Sequence, residues 1–162
     1  MSGEAPSGFH FLYRTDQGRI GRARWIAAAA PLVIGLAAGT AILPAALPYA
    51  NRTLDERVFY DPLAFAANAY IVVYAFALLL ITISWVNLAA KRFRDRGRPA
   101  PLGFAGLLPL AMLAAGAVDW LQPRVADIMP RWSVWGCEAA LALIALWTLA
   151  ELLDVVPGTP RR

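Results

Sequence analysis

Of the chain's 162 residues, 59% are apolar and only 16% are charged, whereas a soluble domain usually carries about a quarter charged residues. That deficit excludes an ordinary soluble domain and points to lipid as the surrounding solvent. The net charge of +4 could suit nucleic acid, but the basic side chains sit beside apolar runs, so no nucleic-acid partner is expected.

One cysteine, Cys137, and one histidine, His10, leave no disulfide within the chain and no zinc site with several such ligands. No metal or cofactor is expected. Arginine outnumbers lysine fourteen to one beside abundant alanine, a composition that suggests a GC-rich bacterial genome.

Residues Met1–Gly8 are small, polar and aperiodic, as a disordered start would be. The stretch Phe9–Arg24 mixes Phe9, Phe11, Leu12, Tyr13 and Ile20 with Arg14, Arg19, Arg22 and Arg24. Residues 1–24 are therefore read as a cytoplasmic segment whose aromatic part lies at the headgroup level, rings down and arginines up.

The first apolar run, Trp25–Ala50, has no charge. About 20 helical residues cross the hydrocarbon, so a span over about 25–43 suffices. Pro44 and Pro48 are expected to end it, because proline lacks a donor and clashes with the preceding turn. A cleaved signal peptide is the competing reading. Its sites after Ala46 and Ala50 would put these prolines at the minus-three position, where a small residue is wanted, so the segment is taken as a permanent anchor.

A polar loop with Arg52, Asp55, Glu56, Arg57 and Asp61 follows. The second span, about 63–86, starts behind Pro62, which suits a first helical turn. It continues into the basic run Lys91–Arg98, where Gly97 and Pro99 mark a stop. The third span, about 102–121, contains Pro109 and should kink; Asp119 lies roughly 26 Å along it, at the far interface. After a short loop with Pro123 and Pro130, the fourth span covers about 134–153, and residues 154–162 form a cytoplasmic tail. The fold class is all-α, a polytopic membrane bundle of four helices (25–153) behind an N-terminal interfacial segment.

Counting basic residues sets the orientation. The N-terminal segment, the basic run and the tail together hold eleven, and the opposite side holds four, namely Arg52, Arg57, Arg124 and Arg131. Both termini are therefore placed in the cytoplasm, across a bacterial inner membrane. Trp25, Trp85 and Trp147 fall towards that side, and Tyr49, Tyr60, Trp120, Trp132 and Trp135 towards the other, as interfacial aromatics do.

Arg19 and Arg22 precede the first span. They serve either as topology determinants or as forks for an anionic lipid phosphate or a carboxylate. In the basic run, Asp95 shares a helix face with Lys91 and Arg92. It either balances that helix end or ties the run to Arg19 or Arg22, locking the first two spans together.

These two segments resemble the paired signatures of the bacterial "domain of unknown function 805" family of small inner-membrane proteins. Gly18, Arg19, Ile20, Arg22 and Trp25 match its Gly-Arg-Ile-x-Arg stretch and tryptophan before the first span. Arg92, Asp95, Arg96, Gly97 and Pro109 fit the later Arg-Leu-His-Asp-Arg signature and the proline-containing span, with Phe93 and Arg94 in place of leucine and histidine. Arg98-Pro99-Ala100 replaces the usual small-residue and tryptophan continuation. The resemblance covers roughly residues 9–115 and implies a membrane fold; it imports no activity.

Gly35 and Gly39 form a Gly-x-x-x-Gly pair that suits close helix packing, within the chain or between copies. Asn68, Tyr74, Thr82 and Ser84 are read as interhelical hydrogen-bonding residues of the second span. Asp119 and Glu138 are acids on the outer side, either snorkelling or forming a cation or proton site. The chain has no Gly-x-Ser-x-Gly elbow, His-Glu-x-x-His, phosphate loop or Cys–His couple.

The function expected from these features is non-enzymatic: a scaffold or accessory subunit that packs against other membrane proteins or a second copy. Its basic cytoplasmic face, with Arg19, Arg22, Arg92, Asp95 and Arg96, would contact anionic membrane lipids or tie helices together. The alternative is a small transporter or channel component. An enzyme acting on a phosphorylated lipid lacks an evident nucleophile or metal site.

Overall fold

The computed structural model describes residues 8–50 and 61–155. Expectations for the polar loop with Arg52, Asp55, Glu56, Arg57 and Tyr60, for the start of the chain and for the tail from 156 onward lie outside the described residues. Four long helices form an all-α bundle: α1 (Arg22–Ala50), α2 (Pro62–Asp95), α3 (Pro101–Leu121) and α4 (Trp132–Leu152). All four are long and apolar enough to cross a membrane. A five-residue π-helical turn at His10–Arg14 precedes them, and a 3-10 turn at Gln122–Arg124 extends α3.

Helix α1 continues through Pro44 and Pro48 to Ala50 and does not stop there as expected. Each proline removes only its own bond to the carbonyl four residues back, and neighbouring packing and local adjustment make such sites tolerable in apolar surroundings. Pro31 and Pro109 likewise lie inside uninterrupted helices. The start of α2 follows from its cap: the Asp61 carboxylate accepts from Leu63 N at 2.8 Å, with Pro62 in the first turn.

At 34 residues, α2 is about 50 Å long and overshoots a hydrocarbon core of about 30 Å. Its basic end therefore projects beyond the apolar slab that its middle can occupy. It ends in a Schellman motif: Arg98 N donates to Phe93 O at 3.0 Å and Gly97 N to Arg94 O at 3.1 Å. Gly97 takes the left-handed conformation this needs, at φ 71°.

Consecutive helices pack in order, α1 on α2, α2 on α3 and α3 on α4, with α2 and α4 also touching. Burial is concentrated at one end. Ile20, Trp25, Ala28 and Ala29 meet Leu88–Ala90, Phe93, Ala105 and Leu152 there. Between Ala67 and Leu88 no residue of α2 is buried, so its apolar middle faces outward, as suits hydrocarbon surroundings.

Nearer the far end, α1 and α2 are joined by polar side chains. Tyr70 donates to the Gly39 carbonyl, and Thr40 and Tyr74 share a hydroxyl hydrogen bond of 2.7 Å. Tyr74 is thus an interhelical bonder as expected, whereas Asn68 bonds its own helix at Ala64 O. The Gly-x-x-x-Gly pair divides: a Cβ on Gly39 would come within 2.7 Å of the Tyr74 ring, while Gly35 faces open space.

Gly39→Val should therefore lower the thermal midpoint of the detergent-solubilised chain, at a cost of about 1–3 kcal/mol for the forced overpacking. Gly35→Val should leave it within about 0.5 kcal/mol. Equal effects would show that Gly39 is not held against Tyr74.

Candidate functional site

The arginine-rich end is organised by helical periodicity in the run Asn87–Arg96. Residues three and four apart share a face, so the run points different side chains at different neighbours.

One face carries Asn87, Lys91 and Arg94 and holds the N-terminal segment. Asn87 Nδ2 donates to Tyr13 O at 2.8 Å, and Lys91 Nζ donates to Leu12 O at 2.9 Å and to Thr15 O. Arg94 donates to the carbonyls of Asp16 and Gly18 and pairs with the Asp16 carboxylate at 3.2 Å. The segment's backbone acceptors are thus met by α2. Tyr13 adds a bond from its hydroxyl to Ala28 O of α1 at 3.0 Å. Two cations lie over the Phe11 ring, Lys91 Nζ at 5.0 Å and the Arg24 guanidinium at 5.5 Å from its centroid, a favourable contact with the ring's negative face. Ile20 is buried and Phe11, Leu12 and Tyr13 are half-buried, whereas Phe9, Arg14, Arg19 and Arg22 are exposed.

A second face carries Arg92 and Arg96 and holds the end of α4. Arg92 is 3% exposed and uses three donors on three partners. Nε donates to Leu152 O at 3.1 Å, one terminal nitrogen pairs with Asp95 at 2.6 Å, and the other pairs with Asp154. Arg96 pairs with Glu151 at 3.0 Å and with Asp154. Arg98 grips both oxygens of Glu151. Glu151 is 1% exposed, a burial that a carboxylate tolerates only with such partners. A Schellman motif shapes this end too: Val155 N donates to Ala150 O at 2.9 Å and Asp154 N to Glu151 O at 3.3 Å. Asp154 occupies the left-handed position, at φ 58°, and its carboxylate is turned to both arginines.

Between these faces, fully buried Phe93 packs on Phe104 of α3 and Trp147 of α4, with ring centroids 5.8 and 6.1 Å away. Trp25 and Trp85 meet edge to face at 5.7 Å, joining α1 to α2.

Arg92, Asp95 and Arg96 are brought together here. Arg19 and Arg22 make no ion pair among the described residues, so of the two readings of Asp95 the balanced helix end is the one seen and the tie to Arg19 or Arg22 is not. Asp95 pairs with Arg92 one helical turn away, and the lock onto the N-terminal segment is made by Lys91 and Arg94. Glu151 and Asp154 were missed because a single acid near a span's end reads as an interfacial residue. The available signal was their spacing of three at the end of the fourth apolar run, matched by arginines at 92, 96 and 98. Asp119 and Glu138 are exposed and unpaired among the described residues. No three His, Cys, Asp or Glu side chains there converge as a metal cage would require.

Glu151→Ala should leave Arg96 with Asp154 alone and remove the ion-pair partner of half-buried Arg98, at a cost of about 1–3 kcal/mol, read as a fall in the thermal midpoint in detergent. Arg19→Ala and Arg22→Ala should each change it by less than about 0.5 kcal/mol. A Glu151 variant as stable as the parent would show that the network does not hold α4.

No family model, curated protein or solved structure matches this chain.

Proposed function

We propose that this protein is a non-enzymatic scaffold or accessory subunit of the bacterial inner membrane, with both termini in the cytoplasm. Its outward-facing apolar helices pack against other membrane proteins, and its arginine-rich end meets anionic headgroups. Membership of the "domain of unknown function 805" family belongs to the same proposal.

The observation that carries this reading is the use made of the buried charges. Arg92, Arg96 and Arg98 are consumed by Asp95, Glu151 and Asp154, and Lys91 by backbone carbonyls. Side chains that could have served as acid, base or anion receptor instead join α2 to α4 and to the N-terminal segment. What remains for interaction is the exposed apolar surface, with Val73, Phe76 and Leu80 along α2 and Leu143 and Leu146 on α4, and the exposed Arg14, Arg19 and Arg22 at one end. A transporter reading has less support. Of its candidate polar groups in α2, Tyr74 bonds Thr40 of α1 and Asn68 bonds its own helix.

Mild detergent extraction with in-membrane crosslinking should recover a stable assembly, with a different membrane protein or a second copy. A chain that stays monomeric and uncrosslinked would sink the proposal. For orientation, single cysteines at Arg22 and Arg131 in a Cys137→Ala background are suitable, because neither arginine makes an ion pair among the described residues. Only the one at 131 should react with an impermeant thiol reagent added outside whole cells; labelling at 22 instead would reverse the topology.

A further inference from the structure

The N-terminal segment leaves a groove of about 300 Å³ beside the α1–α2 pair, at the lower end of the range typical of ligand pockets. Phe9 and Tyr13 form its roof, Pro31 and Leu32 its α1 wall, and Ile81 and Ser84 its α2 wall. The surface is almost wholly apolar, since the Tyr13 hydroxyl is already spent on Ala28 O.

Its depth is informative. Ser84 and Ile81 lie seven and ten residues before Lys91, and Pro31 and Leu32 nine and ten after Arg22, placing the groove about 10–15 Å along the helices from the basic rim. Above it, Arg14 directly follows Tyr13, and Arg14, Arg19 and Arg22 are exposed without an ion pair among the described residues. This end carries nine basic side chains against four acidic ones among the described residues, and the acids Asp16, Asp95, Glu151 and Asp154 are engaged by Arg92, Arg94, Arg96 and Arg98. Of the remaining cations, Arg14, Arg19 and Arg22 are the exposed ones, in the stretch that follows the groove's roof at the same end of the helices.

We propose that this groove seats one anionic phospholipid, with an acyl chain between the N-terminal segment and the α1–α2 pair and its phosphate among Arg14, Arg19 and Arg22. The inference rests on the reading that this end faces headgroups, and it adds a defined position for one lipid. An arginine fork donates paired hydrogen bonds to phosphate oxygens, while the slot takes the chain; a free phosphate would use only the first, a zwitterionic lipid mainly the second.

The test is native mass spectrometry of the full chain in mild detergent, incubated separately with phosphatidylglycerol, phosphatidylcholine and glycerol 3-phosphate. The expected result is one retained phosphatidylglycerol, weak retention of phosphatidylcholine and no competition from glycerol 3-phosphate. Arg14→Gln, Arg19→Gln and Arg22→Gln should each reduce retention, by up to about fivefold per arginine. Ser84→Phe, which fills the slot, should abolish it, and Ser84→Ala, which leaves the slot open, should retain lipid as the parent does. Ser84→Phe must keep the parent's helicity and thermal midpoint; if it does not, the arginine variants decide. Phosphatidylglycerol preference that survives both Ser84→Phe and the arginine changes would overturn the seat alone. Equal retention of both lipids by the parent would overturn the anionic-headgroup reading with it. Full competition by glycerol 3-phosphate, or a lipid-free dimer, would replace the lipid with a free anion or a second copy.

Discussion

The pairing of Glu151 and Asp154 with Arg92, Arg96 and Arg98 is the contact on which the placement of α4 against α2 depends. Within hydrocarbon, helices gain little from burying apolar surface against one another, because lipid is as apolar as a leucine side chain. The bundle accordingly has almost no buried residues along its apolar middle. Its helices are joined where a polar or aromatic side chain has a specific partner: Tyr70 and Tyr74 with Gly39 and Thr40, the Trp25–Trp85 pair, and the ion-pair cluster around Phe93.

The cluster divides the basic residues of this end into two populations with different physics. Those on α2 and just after it are partnered, and their charge is neutralised by carboxylates or spread over carbonyls. Arg14, Arg19 and Arg22 of the N-terminal segment are exposed, and their field is available to whatever lies outside. Counting arginines along the chain treats the two as one cationic face. Only their partners show that half of that face is internal architecture. At the same end the buried Glu151 carboxylate is bound by Arg96 and Arg98, so it too belongs to the internal architecture.

The membrane class and the four helices were legible in the sequence for a direct reason. A backbone without water must satisfy its own hydrogen bonds, so a long uncharged run is sufficient evidence of a helix. Helix ends were legible where a local motif makes them, as at Asp61–Pro62 and Gly97. They were misplaced where a local rule is overridden: Pro44 and Pro48 stop helices in water, but α1 passes through both. Arg92 and Asp95 were legible as neighbours because one helical turn separates them.

What only the tertiary structure decided is which distant groups meet. Glu151 and Asp154 lie more than 50 residues from Arg92 and Arg96, and Asp16 lies 78 from Arg94; no periodicity connects them. Gly35 and Gly39 belong to one Gly-x-x-x-Gly pair, yet a tyrosine ring lies against one and the other faces open space. The sequence by itself determined the solvent of the chain, the number of helices and the end where charge collects, because each follows from the composition and spacing of one segment. The structure decided which charges are spent and which are free, because that depends on the fourth helix returning to the end of the second.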